Sequence, residues 1–184
     1  MQKDLNQEGN LIWRGVEHPS KRSQYGERTQ DFNFRPGSQM RYFTVCLKNT
    51  SRLKKLIDWI HADRTSHDLM KILLIDDEAD QASISNTAVE YQREQRERKG
   101  INKLIVHLVE DTHYKEDRTC GKAGAMNYVM YTATPYANFL NESTVDSLYP
   151  RNFIWTLKTP NEYIGPNQIF GFNDPGKPDG LDIK

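Results

Sequence analysis

The chain has 184 residues, with 25 basic and 25 acidic side chains and a formal net charge of zero, which excludes a histone-like or polybasic protein. Its mean hydropathy is -0.80, and no apolar run approaches the roughly 20 residues that a membrane helix requires. Two cysteines, Cys46 and Cys120, are too few for a disulfide scaffold and lack CxxC spacing for zinc, so a cytoplasmic protein without a membrane segment is expected.

Residues 1–38 hold few periodic apolar positions; Asn, Gln, Ser, Arg and Gly dominate, with Trp13, Phe32 and Phe34 scattered among them. They read as an irregular N-terminal extension. An α/β domain is expected over 39–173. Tyr42–Leu47 is β-branched and aromatic enough for a buried strand. Lys48-Asn49-Thr50-Ser51 supplies a turn and a helix cap. Leu53, Leu56, Ile57 and Ile60 then fall at helical spacing. Ile72–Ile75 is an aliphatic run without alternation, the pattern of a central parallel strand covered on both faces. The charged run 92–99 reads as a solvated helix face or loop. Ile101, Leu104, Ile105 and Leu108 mark another helix, 110–122 a loop, and Tyr128–Tyr131 and Phe153–Leu157 two further strands. Residues 174–184, with two prolines and two glycines, read as a flexible tail.

Strands alternating with helices predict an α/β fold with a mostly parallel sheet flanked by helices. In such sheets ligands sit beyond the carboxyl ends of the strands. Two unusual clusters fall there. Asp76, Asp77, Glu78 and Asp80 follow one strand, and Thr132-Ala133-Thr134-Pro135 follows another. Four carboxylates in five residues repel one another unless a cation is near, and a hard ion such as Mg²⁺ takes oxygen ligands of this kind.

Lys71–Asp80 resembles motif II of superfamily-two helicases, a Walker B strand followed by D-E-A-D, and Tyr131–Pro135 looks like their motif III. A closer similarity is to the Z-one domain of helicase-like bacterial proteins, a domain classed with endonucleases. It spans Tyr42 to Gly171 as ordered blocks: Ile75–Ser83, Tyr131–Asn138, Tyr149–Ile154, Tyr163–Gly165 and Ile169–Gly171. The resemblance implies a RecA-like, P-loop-type fold and a segment of an ATP-dependent nucleic-acid-processing protein, of restriction or phage-defence type, acting on DNA. Asp77, with Asp76 beside it, would hold Mg²⁺ through water, and Glu78 would orient or deprotonate the attacking water. Asp80 would bond Thr132 and Thr134, and Lys48 and Asn49 would touch the sugar-phosphate backbone.

The chain departs from a complete motor. Neither Gly121-Lys122 nor Gly176-Lys177 lies in a phosphate-cradling loop followed by Ser or Thr. ATP binding therefore requires the remainder of a larger polypeptide or a partner subunit, and the isolated chain is not expected to hydrolyse ATP. His61, His67, His107 and His113 show no ligand spacing and read as ordinary surface histidines. Two other readings fit parts of the pattern. One is a non-catalytic docking module for nucleic acid or protein. The other is a receiver-like domain, with Asp117 as phosphoacceptor and Lys158 in support; its difficulty is the short segment between Asp117 and Thr132.

Overall fold

The computed structural model describes residues 11–20, 23–80, 90–116 (90–99 as backbone), 118, 121–134, 148, 150–158 and 164. The elements in chain order are β1 (Ile12–Gly15), a 3-10 turn (Thr29–Asp31), β2 (Met40–Phe43), α1 (Thr50–Ile60), α2 (Arg64–Leu69), β3 (Lys71–Asp77), α3 (Glu90–Val109) and β4 (Ala125–Tyr131). The class is α/β. The described strands form two parallel pairs, β1 with β2 and β3 with β4.

Helix α1 begins where Asn49 Oδ1 accepts the Arg52 N–H at 3.0 Å, filling one of the orphan donors of the first turn. Its apolar stripe buries Leu53, Leu56 and Ile57 against Leu104, Ile105 and Leu108 of α3. Ile57 is fully enclosed, at 0% exposure. Leu74 of β3 and Tyr128 of β4 pack on the same cluster from the sheet side, so two helices share one face of the β3–β4 pair. Helix α3 is longer than its apolar spacing alone predicts, because the charged run before Ile101 is also helical.

The chain passes from β3 through α3 to β4, as two parallel neighbours require a crossover. Their register runs from Lys71 opposite Ala125 to Asp77 opposite Tyr131. Alternation sends Leu74 and Asp76 inward and Leu73, Ile75 and Asp77 outward. Leu73 and Ile75 are 60% and 63% exposed, so the aliphatic run is covered on one face and not on two. Helices α1 and α3 pack on the other side.

Three further expectations are corrected. The segment before residue 39 is not wholly irregular: β1 pairs with β2 from Ile12 opposite Met40 to Gly15 opposite Phe43. It also packs on α1, where Phe32 stacks on Tyr42 and meets Trp59 edge-on, and the Trp59 indole donates to the Glu27 carbonyl at 2.5 Å. The strand expected over Tyr42–Leu47 ends at Phe43, because β1 offers four residues of pairing and no more. Gly26 turns the chain at φ +65, where a Cβ would lie 2.6 Å from the Glu17 carbonyl oxygen.

Residues Arg151–Lys184 form a second compact unit, separate from Met1–Pro150. Phe153–Leu157 is irregular there and not a strand. It has no pairing edge among the described residues, and Phe153, Ile154, Trp155 and Leu157 are exposed. The tail expected over 174–184 lies outside the described residues.

Candidate functional site

The carboxyl ends of β3 and β4 lie side by side, and the two sequence clusters meet there. Asp76 is buried on the core face. Lys48, from the loop between β2 and α1, places Nζ 2.9 Å from Asp76 Oδ1 and also donates to the carbonyls of Asp77 and Glu78 at 2.6 and 2.9 Å. The Tyr128 hydroxyl donates to Asp76 Oδ2 at 2.9 Å. Burial, and then the adjacent Asp76 charge, push the Tyr128 phenol far above its ordinary range, so it stays a donor.

Beyond Asp76 the chain turns sharply. Glu78 adopts the left-handed φ of +52, a conformation uncommon outside glycine. Asp77 Oδ1 accepts the Glu78 N–H at 3.0 Å, and the Ala79 N–H donates to the Tyr131 carbonyl at 3.2 Å, tying the turn to β4. Asp80 then spans to the next strand end. Its Oδ1 accepts the Thr132 hydroxyl and its Oδ2 the Thr134 hydroxyl, each at 2.5 Å. These two hydroxyls hold the Asp80 carboxyl below the usual carboxylate range.

The donor set left over is compatible with magnesium. Asp76 is neutralised by Lys48 and Asp80 is engaged by two threonines. Asp77 and Glu78 remain exposed, and beyond the Asp77 Oδ1 contact their carboxylate oxygens carry no hydrogen bond among the described residues. Two hard oxygen donors with net negative charge suit a hydrated Mg²⁺. The sequence reading groups Asp76 with Asp77 in that shell; strand alternation turns Asp76 inward instead.

Lys48 and Asn49, read as nucleic-acid contacts, have partners within the fold: Lys48 is the counter-ion of Asp76 and Asn49 caps α1. The sequence names Lys48 in another role, and Tyr128, which holds the second oxygen of Asp76, is a site residue it does not reveal. Pro135, Gln81–Ser83, Tyr136–Asn138 and Asp117 lie outside the described residues. The segment leading to Asp117, from His113 to Glu116, contains no strand, which leaves the receiver-like reading without its phosphoacceptor strand.

A second polar centre lies among the histidines, and it corrects the reading of His61, His67 and His113 as surface residues. His61, His67 and His113 have side-chain exposures of 3%, 2% and 0%. His61 caps the end of α1, and His67 lies in α2. Asp111 follows α3, at φ +52. The Asp111 N–H bonds the Leu108 carbonyl and the Thr112 N–H the His107 carbonyl, a Schellman closure with Asp111 at the left-handed position usually held by glycine. From there Asp111 Oδ1 lies 2.8 Å from His67 Nε2 and 3.2 Å from His61 Nε2, while Oδ2 accepts the Ala123 N–H at 2.5 Å. Burial pushes the Asp111 carboxyl up, but the Ala123 N–H and then His67 outweigh it and hold the group low. Burial lowers the His61 and His113 values. The available sequence signal is an Asp after the last apolar turn of a helix, where glycine is usual.

Comparison with protein-family models, with curated proteins and with solved structures finds no match to this chain.

Proposed function

We propose that the chain is the Walker B and motif III segment of a RecA-like, helicase-type ATPase in a nucleic-acid-processing protein, with DNA as its substrate. The observation that supports this reading is the carboxylate of Asp80 held by Thr132 and Thr134 across neighbouring parallel strand ends, beside the exposed pair Asp77 and Glu78. In a nucleoside triphosphatase one acid holds the Mg²⁺ shell and a second orients water. Asp77 has the exposure for the first role and Glu78 for the second. When bound, Mg²⁺ neutralises charge on the phosphates of ATP. The Asp80 bridge links the acidic turn mechanically to the loop after β4, so nucleotide state and grip on nucleic acid move together. The phosphate-cradling loop comes from the rest of a larger polypeptide or from a partner subunit.

The test is ATP hydrolysis by the assembled protein. Glu78→Gln is expected to lower kcat by about 100-fold or more, the usual contribution of a positioned general base. Asp77→Asn is expected to abolish the magnesium dependence of ATP-analogue binding. Unchanged hydrolysis in Glu78→Gln overturns the role given to that residue.

The exposed Leu73 and Ile75 face favours a second reading, a docking module that seats against a larger partner. Salt-dependent DNA binding without any nucleotide effect would distinguish it.

A further inference from the structure

We propose that His61, His67 and Asp111 form a zinc site that staples the C-terminal ends of α1 and α3 to α2. The three donor atoms lie within 4.8 Å of one another. They come from points 44 and 50 residues apart in the chain. Two imidazole nitrogens and one carboxylate oxygen are a borderline donor set that zinc takes readily. The site is independent of the ATPase reading. It lies by the start of β3, where α2 leads through Met70 into the strand, and a seven-residue strand separates it from the acidic turn by about 20 Å.

The hydrogen-bonding pattern of His61 points to a cation. His61 Nδ1 faces the Ile57 carbonyl oxygen at 3.0 Å. A carbonyl has no proton to give, so Nδ1 carries the N–H. In a neutral ring Nε2 then presents its lone pair, and it faces Asp111 Oδ1, itself only an acceptor. Two acceptors face each other unless something positive lies between them. An imidazole oriented by a backbone carbonyl through its other nitrogen is the usual support of a metal ligand. Asp111 is oriented likewise, by the Ala123 N–H on its second oxygen.

Geometry and burial define the kind of site. Zinc bonds of 2.0–2.1 Å in a tetrahedron separate neighbouring donors by about 3.4 Å. The two His–Asp separations, 3.2 and 2.8 Å, fall short of that value and all three donors lie within 4.8 Å, so small side-chain shifts would open the site to the ion. His113, although its ring lies 5.7 Å from that of His61, is not a ligand. Its Nδ1 accepts the Lys115 N–H and its Nε2 donates to Asp58 Oδ1. With the side chains of His61, His67 and Asp111 only 3%, 2% and 6% exposed, the described residues leave no open approach for a substrate. Water completes the shell, and the metal's role is structural.

The experiment uses the whole 184-residue chain, stripped with chelator and titrated with Zn²⁺ against a competing indicator. One tight equivalent per chain is expected, with a rise in Tm and, on Co²⁺ substitution, the visible absorption of a tetrahedral centre. His67→Gln and Asp111→Asn are expected to weaken binding more than about 100-fold, since even outer-shell partners of a metal are worth about 10–100-fold. Asn tolerates the left-handed backbone at 111, so that variant keeps the helix closure. His18→Gln, whose ring bonds Thr44, is expected to keep full binding. A measurement without variants is the ¹⁵N spectrum of the wild-type histidines, in which Zn²⁺ should shift Nε2 of His61 and His67 and leave His113 unmoved. Unmoved His61 and His67 resonances, or a His61 ring bearing protons on both nitrogens whether or not zinc is present, would overturn the site in favour of an imidazolium–carboxylate pair. Equal affinity in wild type, His67→Gln and Asp111→Asn would overturn it as well.

Discussion

Replacing Tyr128 with Phe removes one oxygen and little else. That oxygen is the donor to Asp76 Oδ2 at 2.9 Å, and Asp76 is buried at 8% exposure. Lys48 still holds Oδ1, and the other oxygen is left in a dry site without its donor. Hydrogen bonds to charged groups contribute about 1.5–3 kcal/mol. Urea slopes for small proteins are about 1–3 kcal/mol per molar, so the midpoint should fall by about 1 M. The assay is urea unfolding followed by far-ultraviolet circular dichroism. Tyr131→Phe, at an exposed position of the same strand, serves as the control and should change stability by less than about 0.5 kcal/mol. Combined with Asp76→Asn in a double-mutant cycle, Tyr128→Phe should show coupling of about 1–3 kcal/mol. A Tyr128→Phe protein as stable as wild type, or a cycle without coupling, would refute the assignment of Asp76 as a structural carboxylate.

Ile57→Ala empties a site with 0% exposure between α1 and α3, and thermal or urea unfolding should show a loss of about 2–5 kcal/mol. Asn49→Ala removes the α1 cap and should cost about 1 kcal/mol in the same assay. Asp80 should titrate below the ordinary Asp value of about 3.9 in carboxyl ¹³C NMR, and rise toward it when Thr132 and Thr134 are both replaced by Val. The sign follows from a folded-state value depressed below the unfolded one. The stabilisation is complete above the unfolded pKa and is lost as pH falls through the folded value. In the double Thr→Val protein that part of the acid sensitivity should disappear.

The core of this fold is legible in the sequence wherever one element makes its own pattern. The stripe at Leu53, Leu56 and Ile57 and the stripe at Leu104, Ile105 and Leu108 need no partner to be recognised, and they pack on each other. The strand at Ile72–Ile75 is equally plain. That only one of its faces is covered is not, since four aliphatic residues in a row look the same with one buried face or two. β1 is invisible because Ile12, Trp13, Arg14 and Gly15 form a strand through β2, not through any alternation of their own. At the strand ends, the meeting of Asp80 with Thr132 and Thr134 is what the resemblance to helicase motifs II and III implies, and the structure has that contact. The contact of Lys48 with Asp76 does not, because it depends on where a loop 28 residues upstream comes to rest. The buried histidines escape notice for the same reason. His61 and His67 are joined by a residue 44 positions beyond the second of them.

The segment Ile72–Ile75 is a short, uncharged, β-prone stretch on a strand with Leu73 and Ile75 facing outward, the composition from which steric zippers form. Lys71 stands before it and Asp76 and Asp77 directly after it. Charges in these flanking places act as gatekeepers against stacking of like segments. Stripping the charge from Asp77 therefore touches colloidal behaviour as well as any chemistry at the turn. An Asp77→Asn protein should be followed by light scattering, and a rise in particle size there is the mark of lost gatekeeping.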